Sequence, residues 1–375
     1  MTEQKHPRSS SEKLRRAIIT VCALLVGVIA GITAVSIMNS VRRQREKDAL
    51  RAASAVAQTT APPTTTTTTT TERYPAAASR TTETVTVADT ELLRCRNAAL
   101  IEVLPQGNRL IAEREADAVI YPASLTKLMT LVTFLEHYGE QSLETPVEMA
   151  KDALSAAHSR SAACTGLQAG ELCTVRDLLY GLMLPSGADA AYMLARLAAG
   201  SEEAFVKMMN QNAETMGLTH THFVNCTGLH EQDHVSTVQD IGRLLCYTMR
   251  DPVCRQLMQT PQYLTPSTAQ HPQGISLVST VLSRMTGTEL SERGYGIRVC
   301  GGKTGFTNEA GQCLATYAED ERGRQYICVV AGCDGKEPMD AVYDTLTLYQ
   351  LTERPLAGID RYLPPDIAAE TTVTG

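Results

Sequence analysis

The stretch Tyr121-Pro-Ala-Ser-Leu-Thr-Lys-Leu-Met-Thr130 places Ser124 and Lys127 three residues apart at the start of an apolar run. Residues i and i+3 share one face of a helix, so the Ser124 hydroxyl and the Lys127 amine are expected within hydrogen-bond reach of each other. The helix itself is predicted from apolar residues at helical spacing and from residues suited to its two ends: Leu125, Leu128, Met129, Val132 and Leu135, with Pro122 before them and Gly139 after them.

Ser124 needs a neighbouring base, because a serine hydroxyl is a weak nucleophile until its proton is taken. Lys127 can be that base when burial or a nearby cation favours its neutral form. A Ser-x-x-Lys pair also occurs by chance on exposed helix faces. The pair is therefore a hypothesis that depends on the rest of the chain.

The N-terminal region is predicted to anchor the protein in a membrane. Residues 17–38 are apolar and uncharged, and a run of this length can cross a bilayer. The alternative is a cleaved signal peptide, for which Ala53-Ser54-Ala55 has a suitable composition, but a cluster of basic residues separates that site from the run. We favour an uncleaved signal anchor at 17–38, preceded by a cytoplasmic tail at 1–16.

The remainder of the chain is acidic. Residues 1–51 carry ten Lys/Arg against four Asp/Glu, so the rest of this chain of net charge −7 carries −13, which argues against nucleic-acid binding. Residues 39–91 include Pro62-Pro63 and eight consecutive threonines, a composition typical of a disordered linker. A catalytic domain is predicted at 92–352, followed by a C-terminal tail at 353–375.

Five segments have the composition of strands. Two precede the middle of the chain and three follow it: 98–103, 109–112, 296–304, 311–317 and 324–331. Since both ends of the domain contribute strands, we predict a mixed α/β fold with one antiparallel sheet of about five strands, flanked by helices and preceded by the transmembrane helix.

Helices are predicted between the two groups of strands and at the end of the domain. Thr174 and Ser201 are suited to cap helix N-termini, because their hydroxyls can accept unpaired backbone N–H groups. The expected helices lie between Thr174 and Pro185, Asp189 and Gly200, Ser201 and Gly217, and Pro338 and Tyr349.

The eleven cysteines do not resemble a metal framework, because the chain contains no Cys-x-x-Cys. Most fall in predicted strands or helices, where a free thiol behaves as a small apolar residue. Cys164 and Cys173 flank a glycine-containing segment. They could close a surface loop as a disulfide in an oxidising compartment.

Lys303-Thr304-Gly305 is preceded by two glycines and leads into a predicted hairpin turn. A phosphate-binding loop would need a glycine at position 297, which is isoleucine, and a helix after it. A structural reading is a hairpin with an exposed lysine. A cation and a hydroxyl on a strand instead suit recognition of a carboxylate.

These motifs together resemble one family. Ser124-x-x-Lys127, Ser186-Gly187-Ala188 and Lys303-Thr304-Gly305 stand in the order of the penicillin-binding and serine β-lactamase motifs. Their surroundings are similar to those of the low-molecular-mass penicillin-binding proteins, the serine-type D-Ala-D-Ala carboxypeptidases, and so is the segment 221–229. The resemblance covers about residues 92–350 and implies a β-lactamase/transpeptidase-like fold.

The resemblance also implies roles for individual residues. Ser124 would be acylated, Lys127 would be its base, and Ser186 would relay a proton to the leaving amine. Lys303 and Thr304 would hold the terminal carboxylate of the substrate. Gly305 belongs to the same motif, and the backbone N–H groups of Ser124 and Phe306 would form the oxyanion hole.

The activity implied is removal of the terminal D-alanine from peptidoglycan stem peptides through an acyl-enzyme. The implied partners are stem peptides ending in D-Ala-D-Ala and β-lactam antibiotics as covalent inhibitors. No cofactor or metal is required. Because this substrate lies outside the cell, the domain is expected on the outer side of the cell membrane, attached through residues 17–38.

Three alternatives stay open from the sequence: a β-lactamase, a D,D-endopeptidase, or a penicillin-binding scaffold with little turnover. The scaffold is considered because Ala188 stands where the family usually has an asparagine that contacts the substrate. A metal site is a further alternative for the segment that contains His220, His222, His230 and His234, although their spacing fits no zinc signature.

Overall fold

The structure is a computed structural model that describes residues 74–138, 142–288, 290–334, 337 and 339–363. The predicted tail at 1–16 and the signal anchor at 17–38 lie outside these residues, as does most of the predicted linker. Within the described part of the chain, no helix has both the length and the apolar character needed to cross a membrane.

Ten strands and nine helices are numbered here in chain order over the described residues. The strands are β1 Val85–Thr86, β2 Asn97–Val103, β3 Arg109–Arg114, β4 Pro146–Glu148, β5 Leu172–Thr174, β6 Gln262–Leu264, β7 Ser276–Val278, β8 Ile297–Thr307, β9 Gly311–Asp320 and β10 Gln325–Cys333. The helices are α1 Lys127–Tyr138, α2 Lys151–Ser159, α3 Val175–Met183, α4 Ala188–Ala199, α5 Glu202–Met216, α6 Val238–Thr248, α7 Pro252–Gln259, α8 Leu282–Met285 and α9 Asp340–Tyr349.

The main sheet has six strands in the order β1-β3-β2-β10-β9-β8. All five predicted strands are present and pair antiparallel. The prediction of about five antiparallel strands is corrected by β1, which joins β3 in parallel and makes the sheet mixed. A two-residue strand carries no periodic pattern, so the sequence gives no signal for it.

Both faces of the central strands are covered. In β10 every residue after Gln325 is buried, and successive side chains alternate between two apolar cores. One core contains residues of α1 and α3–α6, and the other contains residues of α9. Strands covered on both faces have continuous apolar sequences, as β9 and β10 do.

The predicted helix caps are present. The Thr174 hydroxyl accepts the backbone N–H of Asp177, and the Asp177 carboxylate accepts the Thr174 N–H, which forms a complete capping box at α3. Ser201 caps α5 through the N–H of Ala204. The helix predicted from the opening stretch is α1, which begins at Lys127 after a 3₁₀ turn over Ala123–Thr126.

Parts of the predicted linker and tail are folded, and one predicted pairing is missing. Within the linker predicted at 39–91, Tyr74 and Val87 are buried and β1 pairs with the sheet. Within the tail predicted at 353–375, Ile359 and Tyr362 are buried against the domain. The loop disulfide between Cys164 and Cys173 is absent.

Cys164 and Cys173 are both free thiols in the structure. Cys173 lies on β5 with its side chain buried, and its Sγ–H donates to the Val147 carbonyl oxygen on β4 at 3.4 Å. Cys164 is half-buried in the preceding loop, and its Sγ–H donates to the Ala162 carbonyl oxygen at 3.5 Å. The strand pairing of β5 therefore directs Cys173 into the core, where a free thiol packs as an apolar group.

Asp344 on α9 joins the first and last segments of the domain. Its carboxylate is fully buried and accepts the backbone N–H groups of Arg94 at 2.8 Å and Cys95 at 2.5 Å. The same carboxylate forms a salt bridge with Arg361, which also contacts Asp340 at 2.7 Å. A buried carboxylate is stable only with such a set of donors.

Replacing Asp344 by alanine is expected to lower the free energy of unfolding by about 3–5 kcal/mol, because two backbone N–H groups and the half-buried Arg361 guanidinium lose an acceptor. Urea unfolding followed by circular dichroism measures the loss. The matched control is Asp152→Ala, which removes an exposed ion pair with Arg196 and should cost less than about 1 kcal/mol. Equal losses in the two variants would contradict the role of Asp344.

Candidate active site

Ser124 lies on the 3₁₀ turn that leads into α1, and two glycines press against this turn. A Cβ atom on Gly228 would lie 1.8 Å from the Ala123 carbonyl oxygen, and one on Gly305 would lie 3.2 Å from the Ser124 nitrogen. Ala123 itself has φ +47°, in the left-handed region that a residue with a side chain rarely adopts. The backbone around Ser124 is thus held between β8 and the loop that contains Gly228.

Lys127 contacts Ser124 in the way the spacing predicts. Its Nζ lies 3.0 Å from Ser124 Oγ and donates to the Thr227 carbonyl oxygen at 2.7 Å. The side chain is 2% exposed, and burial lowers the pKa of Lys127 to about 8. A lysine with this pKa is partly neutral near neutral pH, so it can accept the Ser124 proton.

The Thr227 carbonyl is held in place by Asn225. The Asn225 side-chain oxygen accepts the Thr227 N–H at 3.1 Å, the Thr227 hydroxyl at 2.9 Å and the Gly228 N–H at 2.8 Å. The sequence places this segment, 221–229, within the family resemblance but gives no role to Asn225 or Thr227. The structure shows that the segment orients the lysine.

His234 connects the same loop to the nucleophile turn. Its Nδ1 accepts the Val224 N–H at 3.0 Å, and its Nε2 lies 2.7 Å from Thr126 Oγ1. Burial lowers the pKa of His234 to about 3, so the ring is neutral and its proton is on Nε2. Both ring nitrogens are engaged within the protein.

The metal alternative for the four histidines is not supported. Among the described residues, the group of three potential metal ligands whose ligand atoms lie within 4.8 Å of one another is Cys95, Cys333 and Asp344, which contains no histidine. His234 is a buried structural residue, and His230 packs edge-on against Tyr121 with ring centroids 4.6 Å apart.

Lys303 and Thr304 lie on β8, the last strand in the sheet order. Lys303 is fully buried, and its Nζ donates to the Thr304 carbonyl oxygen at 3.0 Å. Burial, followed by the charges of Lys127 and Arg284, holds the pKa of Lys303 well below its usual value. An arriving carboxylate would supply the negative charge that favours the ammonium form of Lys303.

Thr280 is a neighbour of Thr304 that was not predicted from the sequence. Its Oγ1 lies 2.8 Å from Thr304 Oγ1, and its N–H donates to the Leu184 carbonyl oxygen at 3.1 Å. Thr280 therefore connects the Lys303 motif to the segment before Ser186. It lies just beyond the β6–β7 hairpin, and no local sequence pattern marks it.

Ser186 is almost fully buried and has φ +67°. Its Oγ makes no hydrogen bond to any atom of the described residues. A buried hydroxyl without a hydrogen-bond partner lowers the stability of the fold unless another group supplies that partner. The relay of a proton through Ser186 stays a prediction.

Ala188 begins α4 with its methyl group buried, and its N–H donates to the Ala163 carbonyl oxygen at 2.7 Å. Asp189, the next polar side chain, does not take the place of the missing asparagine. Its carboxylate accepts the Thr165 N–H at 3.0 Å and the Thr165 hydroxyl at 2.6 Å. Asp189 therefore holds the loop beside the site.

The pKa of Lys127 predicts the pH dependence of serine acylation. With the neutral amine of Lys127 as the predicted base, its fraction grows as pH rises through about 8, so the second-order rate of labelling by penicillin should rise from about pH 6 and level off above about pH 9. Stopped-flow acylation measures this rate. Lys127→Arg should abolish labelling at every pH because arginine stays protonated, and a flat wild-type profile would contradict the assignment of the base.

Comparisons with known proteins agree with this geometry. D-alanyl-D-alanine carboxypeptidase DacF of Bacillus subtilis is 30% identical over 247 residues, which are 64% of this chain and 58% of that protein. The D-alanyl-D-alanine endopeptidase of Pseudomonas aeruginosa is 32% identical over 206 residues, which are 55% of this chain and 62% of that protein. The chain thus spans about three fifths of the length of these two curated relatives.

Solved structures show the same fold. The crystal structure of a Streptomyces DD-transpeptidase matches with a TM-score of 0.59 at 25% identity and covers 69% of this chain and 97% of that chain. A D-alanyl-D-alanine carboxypeptidase from Mycobacterium tuberculosis matches with a TM-score of 0.60 at 24% identity and covers 75% and 98% of the two chains. These matches confirm the predicted transpeptidase-like architecture of sheet and flanking helices.

The family assignment follows from the length of chain that matches. The sequence profile described as D-alanyl-D-alanine carboxypeptidase matches residues 84–335, which include Ser124, Lys127, Ser186 and Lys303. The resemblance inferred from the motifs is confirmed: the chain belongs to the D-alanyl-D-alanine carboxypeptidase family.

Proposed function

We propose that the protein is a serine D,D-carboxypeptidase that removes the terminal D-alanine from peptidoglycan stem peptides. The observation that carries this proposal is the 3.0 Å contact between Ser124 Oγ and the buried Lys127 Nζ. It supplies an activated nucleophile without a metal or another cofactor. The family to which the chain belongs supports the same substrate class.

In the proposed acylation step, neutral Lys127 takes the Ser124 proton while Oγ attacks the carbonyl carbon of the penultimate D-alanine. The negative charge that develops on the carbonyl oxygen is stabilised by the backbone N–H groups of Ser124 and Phe306. The peptide bond then breaks, and the leaving D-alanine amine receives a proton through Ser186. Water hydrolyses the resulting ester and restores the Ser124 hydroxyl.

Recognition of a free carboxylate favours a carboxypeptidase. Lys303 provides a buried amine, and the paired hydroxyls of Thr304 and Thr280 provide neutral donors. A terminal carboxylate can form charge-assisted hydrogen bonds with such groups, whereas an internal peptide bond cannot. β-Lactams, which carry a carboxylate next to a reactive amide, would acylate the same serine.

A groove beside the exposed Phe306 has room for the part of the stem peptide that precedes the two D-alanines. Its volume is about 460 Å³, and Arg160, Leu229, His230 and Glu309 are among the residues that line it. The Pseudomonas aeruginosa relative is named an endopeptidase. For that reason, cleavage of a cross-linked peptide is the alternative that the experiment below must separate.

We also propose that residues 17–38 hold the protein in the cell membrane as a single pass, with the domain on the outer side. The apolar run supports the anchor, and the location of the proposed substrate supports the orientation. Residues 39–73 would then be the spacer between the membrane and the domain.

The activity is tested with a pentapeptide that ends in D-Ala-D-Ala and with the same peptide amidated at its C-terminus. The wild-type protein should release D-alanine catalytically from the acid. It should react with the amide about tenfold to a hundredfold more slowly, because one charge-assisted contact is lost. Ser124→Ala should release no D-alanine and bind no penicillin covalently, and Ser283→Ala, at an exposed serine, is the matched control.

Each contrary result would support a different assignment for this protein. Penicillin labelling of Ser124→Ala would refute the nucleophile, and equal turnover of acid and amide would indicate an endopeptidase. Catalytic hydrolysis of penicillin would indicate a β-lactamase. Labelling without any release of D-alanine would indicate a scaffold.

The orientation is tested by protease added to intact cells. Cleavage within residues 39–73 should release a soluble domain that still binds penicillin, because this segment is proposed to lie outside the cell. A cytoplasmic protein expressed in the same cells is the control for lysis. Protection of the domain until the cells are lysed would refute the orientation.

A further inference from the structure

Two buried thiols, Cys95 and Cys333, meet at one end of the central sheet. Strands β2 and β10 are antiparallel neighbours, and their register pairs Asn97 with Ala331. Cys95 precedes Asn97 by two residues and Cys333 follows Ala331 by two, so the chain brings them side by side. The two Sγ atoms and a carboxylate oxygen of Asp344 all lie within 4.8 Å of one another.

A bulge in β10 is what turns Cys333 toward Cys95. The register between β10 and β9 shifts between Val330 and Cys333, and Gly332 has φ +73°. Before the bulge, Val329 and Ala331 face one core and Val330 faces the other. Strict alternation would send Cys333 to the face of Ala331. The extra residue instead places it in the core that contains Cys95.

The environment of the pair does not suit a metal ion. Asp344 already accepts two backbone N–H groups and the Arg361 guanidinium, so its carboxylate is not free to be a ligand. A metal would also need thiolates. The pKa of Cys333 lies well above its usual value, because of the contact with the Cys95 sulfur and then burial, and the pKa of Cys95 is also raised.

Two protonated thiols that are in contact, and that have no free third ligand, can react with each other instead of binding a metal. We propose that Cys95 and Cys333 form an intramolecular disulfide under oxidising conditions. The reaction is exchange with a small-molecule or protein disulfide: the two thiols lose two electrons and two protons, one S–S bond forms between them, and the oxidant is reduced to two thiols. That the protein meets such an oxidant in the cell rests on the proposed extracytoplasmic location.

Formation of this bond would leave the strong donors of Asp344 in place. Oxidation removes the weak Cys333 Sγ–H donor, which lies 3.7 Å from the Asp344 carboxylate. The two backbone N–H donors and Arg361 remain. The closed loop of residues 95–333 contains Ser124 and Lys303, so the bond would restrict the unfolded chain around the whole active site.

The test uses the full chain in detergent micelles, refolded from denaturant in mixtures of reduced and oxidised glutathione. Refolding exposes both thiols to the oxidant, so burial in the native state does not limit the reaction. After alkylation of the remaining thiols, mass spectrometry of a non-reduced digest should show one linked pair of peptides containing Cys95 and Cys333, with the loss of two hydrogen atoms. The linked protein should melt roughly 5–10 °C higher than the reduced protein.

Two variants and added zinc are the controls for the disulfide experiment. Cys95→Ala should remove both the link and the oxidant-dependent gain in melting temperature, whereas Cys328→Ala, a buried cysteine on the same strand, should keep both. Added zinc should neither protect the reduced thiols from alkylation nor raise the melting temperature. Absence of the link at every glutathione ratio, a link between other cysteines, or stoichiometric zinc protection would overturn the proposal.

Penicillin labelling is measured on the same samples, so the two proposals fail separately. A linked protein that is not labelled would refute the proposed function alone. A labelled protein without the link would refute the disulfide alone.

Discussion

The active site depends on keeping the amine of one lysine out of water. Lys127 lies beneath Ser124, with its Nζ shared between the serine hydroxyl and the Thr227 carbonyl. An ammonium group buried in this way loses hydration energy, which makes its neutral form more accessible and allows it to act as a base. The helices around α1 and the loop held by Asn225 exclude solvent from this amine, as the proposed chemistry requires.

A second buried amine lies on β8, so the site contains two lysines that the fold desolvates. The roles proposed for them differ, a proton acceptor for Lys127 and a carboxylate-binding cation for Lys303, and this difference would come from their surroundings. Lys127 contacts a hydroxyl that can be deprotonated, whereas Lys303 contacts the Thr304 carbonyl oxygen. Substrate binding is thus expected to change the electrostatics of Lys303 most, because a carboxylate brings the opposite charge to it.

Much of this arrangement could be predicted from the sequence, because the central elements carry strong local patterns. The five long strands, the caps at Thr174 and Ser201 and the spacing of Ser124 and Lys127 all depend on neighbouring residues.

Other features carry no local pattern. The strands β1 and β4–β7 are too short to show one, and the position of Thr280 beside Thr304 depends on the β6–β7 hairpin that precedes Thr280. The orientation of Asp189 toward Thr165 likewise depends on a loop contact that spacing does not show. Burial, which sets the pKa of Lys127, results from the packing of the whole domain.

The left-handed backbone at Ala123 links activity to stability. Such a conformation costs of order 1–3 kcal/mol for a residue with a side chain, and here Gly228 and Gly305 pack closely against the turn that contains it. Ser124, the proposed nucleophile, is consequently held in place before any substrate arrives, and binding energy would not be needed to shape the turn. The same strain subtracts from the folding free energy, so under the proposed function this turn gives up some stability in exchange for a fixed nucleophile.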